Sequence, residues 1–205
     1  MDSKSYLVLN SWLQKSDYNY LEGRLLWLSC LHNGACNLLW LSCEQIMKIL
    51  IPQKNVHSIA SSCSSLDDMH ESCEKAGKVL GHSVQKLTIE LGREYPSIHI
   101  GKYGPVLQKL QEYFNRRYVV RGGSSIRLDM IDDVDAFYFL LRTNVSPDVG
   151  LGVIDEIYIQ KKHGWRHPLA AFQYAYLQNK SFGPRRHRKI KIMGSDGKTY
   201  EEQGI

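Results

Sequence analysis

The chain has 205 residues, 43% of them hydrophobic and 23% charged. That is the length of one sizeable domain with an extension, and the composition excludes a collagenous, mucin-like or wholly disordered chain. The net charge of +5 belongs to the tail: residues 1–179 carry 19 Lys and Arg against 18 Asp and Glu, while residues 180–205 carry 7 against 3, so the body bears no broad nucleic-acid footprint.

Five cysteines, Cys30, Cys36, Cys43, Cys63 and Cys73, are odd in number and crowd into the first part of the chain. A full disulfide framework is not expected, and a reducing cytoplasm is the expected setting. Leu25 to Cys43 runs 19 residues without a formal charge. His32-Asn33-Gly34 and Asn37 interrupt it at what would be bilayer depth, so the reading is two buried helices joined by a turn at Asn33-Gly34 rather than a membrane span.

Apolar residues from Tyr6 through Leu13, Tyr20, Leu21 and Leu28 recur at spacings of three and four and predict one long first helix. Cys36, Leu39, Trp40, Cys43, Ile46, Met47 and Leu50 predict its antiparallel partner, stopped at Pro52. Residues 53–76, with their run of serines, read as a polar connection with room for a short helix. Lys78 to Leu91 resumes a helical pattern that Gly92 ends, and Arg93 to Gly104 reads as a loop. Pro105 is placed to open a helix running to about Tyr118, and Gly122-Gly123-Ser124-Ser125 breaks the chain.

Ile131 to Arg142 predicts a helix with acidic residues in its first turn and a basic one at its end, as the helix dipole favours. Val153 to Ile159 alternates and reads as a strand or a helical turn. Pro168 to Leu177 reads as a last, aromatic helix, and Lys189-Ile190-Lys191-Ile192-Met193 alternates as an edge strand for Val153 to Ile159. The expected architecture is all-α, an up-and-down helical bundle over residues 1–145, with residues 146–205 a C-terminal extension whose basic tail forms either a small β-hairpin or a mobile polyelectrolyte arm, the hairpin being preferred.

Four segments in this order, Trp12-Leu13-x-x-Ser16-Asp17-Tyr18, Cys43-Glu44-Gln45-Ile46-Met47-Lys48-Ile49-Leu50, Gly81-His82-Ser83-Val84-x-x-Leu87 and Tyr113-Phe114-Asn115-Arg116-Arg117-Tyr118 ahead of an Asp-rich helix, resemble the HEPN superfamily over about residues 5–145. The resemblance implies a four- or five-helix bundle that pairs into a homodimer. Catalytic members of that superfamily are metal-independent ribonucleases with an Arg and a His a few residues apart. The guanidinium holds phosphate and the imidazole moves a proton near neutral pH.

Arg93 and His99 match that spacing as candidate catalytic residues, although Pro96 places them in a loop. Arg116, Arg117 and Tyr118 resemble the Arg-Tyr pair of the non-catalytic branch, which implies contact with a nucleotide, RNA or a nucleotidyltransferase partner protein; the residues themselves favour a second reading, in which the two arginines cap carbonyls at the helix end. In the tail, Arg185, Arg186, Arg188 and Lys189 are candidate phosphate contacts without sequence preference. Cys30, His32 and Cys36 lack a Cys-x-x-Cys pair, so no metal is expected. His163-Gly164-Trp165-Arg166-His167 before Pro168 is an anion-site candidate that a helix start explains as well. With no phosphate loop, dinucleotide fingerprint or nucleophile elbow, no cofactor is expected.

The expected function is a helical interaction or nucleotide- or RNA-binding module. Its alternative is an endoribonuclease, either the toxin of a toxin–antitoxin pair or an antiphage effector.

Overall fold

A computed structural model describes residues 4–53, 59, 61–116, 129–164, 170–180, 182, 189–193 and 196–202. The protein is an all-α helical bundle with one small hairpin near its C-terminus. Helix α1 (Lys4–Leu28) and helix α2 (His32–Gln53) form the central antiparallel pair. The link between them is shorter and earlier than the sequence suggests. It is Ser29-Cys30-Leu31, with Cys30 in the left-handed region at φ 60°. Gly34 instead lies in the first turn of α2, where a Cβ would stand 3.1 Å from Leu26 Cδ1 across the pair. Asn33-Gly34 thus serves close packing, not chain reversal. Pro52 falls inside the last turn of α2, which ends one residue later.

The stretch read as a polar connection contains a full helix, α3 (Leu66–Leu80). Its start is a capping box: Ser65 Oγ accepts from the Asp68 backbone N–H, and the Asp68 carboxylate accepts from the Ser65 N–H. Glu71–Lys75 and Glu74–Lys78 pairs run along its exposed side, and among the described residues Met69, Cys73 and Gly77 are buried. Its amphipathic period is pronounced, but Ser, Asp, Glu and Lys outnumber its apolar residues, so by composition the segment reads as a polar connection.

The chain breaks at Gly81 and begins helix α4 (Val84–Glu94), so the single helix expected over 78–91 is two. A 3-10 turn (Ile100–Tyr103) leads into helix α5 (Gly104–Asn115), with Pro105 in its first turn. Helix α6 (Met130–Arg142) follows, then a 3-10 turn (Pro147–Val149), helix α7 (Val153–Lys162) and helix α8 (Ala170–Gln178).

Val153 to Ile159 is therefore helical, not a strand. The edge strand expected at 189–193 exists as β1 (Ile190–Met193), but it pairs antiparallel with β2 (Thr199–Glu202), Ile190 opposite Glu202 and Met193 opposite Thr199. Helix wins at 153–159 because Gly152 gives Asp155 a place in the first turn, where its carboxylate accepts the Gly152 N–H at 2.8 Å. The Gly122–Ser125 break and Pro168 lie outside the described residues.

Buried apolar side chains form one cluster reaching from Val8 to Phe182. Phe182, embedded in the basic tail by sequence, is 8% exposed and packs its ring against Tyr20, Phe139 and Tyr176. No helix among the described residues is long and apolar enough to cross a membrane.

Candidate functional site

Arg93 sits in the last turn of α4, exposed and ion-paired with Glu90. His99 is exposed just before the first 3-10 turn, with no side-chain capping bond. The segment between them is bolted down by Tyr95, whose hydroxyl donates to Leu50 O at 3.1 Å and accepts from Gln53 Nε2. Gln53 also donates to Asn144 O and accepts from the Ser146 N–H. A shallow depression of about 450 Å³ opens beside this segment, walled by Ile89, Pro96, Ile98 and Ile100. Neither Arg93 nor His99 lines it.

Arg116 is exposed at the end of α5, where its backbone N–H, not its guanidinium, closes the helix on Glu112 O. Lys189 is exposed and stands 3.8 Å from Glu201 across the hairpin. Arg117, Tyr118, Arg185, Arg186, Arg188 and the 165–168 part of the His163 turn lie outside the described residues.

The acidic residues of the interior are occupied. Asp17 on α1 takes four hydrogen bonds: Oδ1 from Tyr138 Oη (2.8 Å) and Arg142 Nε (2.9 Å), Oδ2 from Arg142 Nη2 (2.9 Å) and the Ile154 N–H (3.0 Å). Arg142 also reaches Asp155 at 2.9 Å. One cation is shared by two carboxylates, all out of water, and every carboxylate oxygen of Asp17 is satisfied, the arrangement a buried ion cluster requires. Gly152 is part of the fit, since a Cβ there would overlap Asp17 Oδ2 and stand 3.0 Å from Arg142 Nη2.

A second network abuts it. Tyr20 stacks face to face on Tyr138, centroids 4.3 Å apart, and donates to Asp135 Oδ1 at 2.7 Å. Asn179 donates to Tyr20 Oη, and Arg24 lies 3.3 Å from Asp135 Oδ2. Burial pushes the Asp135 carboxyl up to about 7 against the opposing pull of Arg24 and the Tyr20 hydrogen bond. Both networks are sealed in the core and hold α1, α6, α7 and the chain after α8 together.

Ionisable groups meet an open cavity in a different place. A groove of about 280 Å³ lies between α1, α2 and α3, with Trp12 and Leu41 as its apolar wall. Glu44, on α2, is 3% exposed and gathers two side chains, Lys48 and His82. Lys48, one turn on, donates to Oε1 at 2.7 Å. His82 Nδ1 lies 2.9 Å from Oε1 and 2.8 Å from Oε2.

His82 reaches Glu44 because of the α3–α4 break. Gly81, at φ 60°, turns the chain through a conformation that side-chain-bearing residues seldom adopt. Gln111 then pins the turn, donating to His82 O and accepting from the Val84 N–H. A carboxylate only accepts, so Nδ1 carries the hydrogen and Nε2 is left as the ring's unengaged nitrogen on a side chain that is 63% exposed.

Glu44, Lys48 and His82 lie inside the resembling segments; the spacing of Glu44 and Lys48 predicts an i,i+4 pair on the side of α2 away from its apolar face, yet Glu44 is 3% exposed, and no sequence role attaches to His82. The i,i+4 spacing of Glu44 and Lys48 was visible; the approach of His82, 38 residues on, depends on a helix break that the pattern did not reveal. Among the described residues no three His, Cys, Asp or Glu gather as metal ligands. No protein-family model, curated protein or solved structure matches the chain.

Proposed function

We propose that the chain is a HEPN-like helical binding module for a nucleotide or RNA, acting in the cytoplasm as a homodimer. The observation that carries this reading is the groove beside Trp12, where a buried carboxylate holds a lysine and a histidine at the edge of an open cavity. An aromatic wall next to a lysine and a histidine suits a base and its phosphate. The resemblance in segment order supports the same class, and so does the engagement of the interior acids, which leaves them to the fold.

The test is titration of the full chain with mononucleotides and with a short RNA, followed by tryptophan fluorescence. Saturable binding with the RNA left intact is expected. Absence of binding to either, at millimolar nucleotide and low salt, refutes the reading.

A second reading, the metal-independent endoribonuclease, is favoured by one observation. Arg93 and His99 are both exposed next to an apolar depression, a surface on which a partner subunit would complete a shared cleft. RNA fragments that vanish in both Arg93→Ala and His99→Ala would select it.

A further inference from the structure

The polar groups around the groove are unequally spent. Glu44 is engaged by Lys48 and His82, and Glu74 by Lys78 at 3.0 Å. Gln45 Oε1 accepts from Asn19 Nδ2 at 2.8 Å. What remains uncommitted is a set of donors and one ring nitrogen: two N–H of Lys48, the amide N–H of Gln45 and His82 Nε2. Each carboxylate at the groove is paired with a basic side chain while N–H donors of Lys48 and Gln45 stay open, so the groove suits an oxyanion, and its apolar wall takes a flat ring. At about 280 Å³ it sits just below the ~300–1,000 Å³ usual for small-molecule pockets, so it holds one nucleotide-sized group and not a folded partner.

We propose that this groove binds the phosphate monoester of a mononucleotide or of a phosphorylated RNA end, with Lys48 and His82 on the phosphate and Trp12 against the ring, and that binding takes up a proton. The proposal rests on the nucleotide reading above. Proton uptake follows from hydrogen-bond geometry. With Nδ1–H committed to Glu44, a neutral ring presents a lone pair at Nε2, which repels a phosphate oxygen. Once Nε2 gains a proton from solvent, it donates instead. The buried Glu44 carboxylate already stands on the far side of the ring to balance the added charge. The charged groups facing His82 are Glu44 and Lys48 from α2 and Glu74 and Lys78 from α3. Helix α5 contributes Gln111 and the Phe114 ring, its centroid 5.8 Å away.

The experiment is calorimetric titration of the full chain with adenosine monophosphate, adenosine, inorganic phosphate and a short oligoribonucleotide with and without a 5′-phosphate. Wild type, His82→Gln and Lys48→Met are compared, each checked for native helicity. Above neutral pH, where free phosphate monoester is already dianionic, wild-type affinity for adenosine monophosphate should fall about tenfold per pH unit. Titration in buffers of different ionisation enthalpy should show close to one proton taken up. His82→Gln keeps a donor but does not titrate, so it should flatten the pH dependence. Lys48→Met should weaken binding at least tenfold at every pH, and adenosine should bind weakly without pH dependence.

Preference for the 5′-phosphorylated oligomer over the mononucleotide assigns the ligand to an RNA end; the reverse preference assigns it to a free nucleotide. Equal binding of adenosine and its monophosphate overturns the phosphate contact. Nucleotide binding that neither variant alters overturns the groove while leaving the nucleotide reading standing, and no binding by wild type removes both.

Discussion

Replacing Asp17 with Asn changes no heavy-atom count, yet it should be among the most damaging substitutions in the chain. The carboxylate accepts four hydrogen bonds, two at each oxygen, from Tyr138, Arg142 twice and the Ile154 N–H. An amide has one oxygen. Whichever way it is turned, its NH2 faces two donors that have lost their acceptor in a fully buried site, each costing about 1–3 kcal/mol. Arg142 meanwhile retains a single carboxylate, Asp155. Both routes converge on roughly 3–5 kcal/mol, the usual cost of breaking one arm of a buried ion cluster.

At about 2–4 °C per kcal/mol for a chain of this size, the melting temperature should drop by roughly 10 °C. Urea unfolding should show a lower midpoint at an unchanged slope. Asp132→Asn, an exposed change on α6, is the control and should shift stability by less than about 0.5 kcal/mol. A loss below about 1 kcal/mol for Asp17→Asn would refute the idea that this cluster ties α1 to α6 and α7.

Asp135 gives a pH prediction. Its folded value of about 7 lies above the ordinary 3.8, so the folded state holds the proton more tightly, and stability is fullest below about pH 4 and is lost as pH rises to about 7. Asp135→Asn, which keeps an acceptor for Tyr20, should flatten that part of a melting-temperature profile; an unchanged slope would count against it. Burial pushes the Cys36 and Cys43 thiols up to about 12, whereas Cys30 is exposed. A thiol reagent at pH 8 should therefore label Cys30 first and reach the other two only on unfolding, as peptide mapping would show; equal rates would contradict the burial.

Phe182→Ala should cost about 3 kcal/mol by emptying a ring-filled site, read by chemical unfolding. A triple change of Arg185, Arg186 and Arg188 to Ser should leave the unfolding midpoint in place and lower only the salt dependence of any RNA binding. A midpoint that moves in the triple variant would give those arginines a structural part.

The contrast between α2 and α3 shows what a sequence of this kind makes legible. Helix α2 buries a broad apolar stripe, and its periodicity, its Glu44–Lys48 pair and its stop at Pro52 are all readable. Helix α3 is amphipathic but predominantly polar, and it is held by a cap and surface ion pairs, so its composition hides a period that its spacing carries. The same limit hid the groove. Glu44 and Lys48 meet His82 through one glycine turn, and nothing in linear spacing announces a contact across 38 residues. Asp17 stood out in the motif Ser16-Asp17-Tyr18, but its partners Arg142 and Asp155 lie far along the chain, beyond any local pattern. Phe182 was obscured by the arginines around it, because composition averages over residues that the fold treats separately.

The Asp17–Arg142 pair also sets a schedule for synthesis. The α1–α2 pair has all of its mutual contacts within the first 53 residues, yet the guanidinium that neutralises Asp17 follows 125 residues later. At about 5–20 residues per second, the nascent hairpin waits roughly 6–25 s with a carboxylate on a face that will end up dry. During that interval the charge keeps this side of α1 hydrated and unattractive to other nascent chains. Arrival of Arg142 and then Asp155 converts the same residue from a solubilising group into the latch that closes the C-terminal third over the first helix.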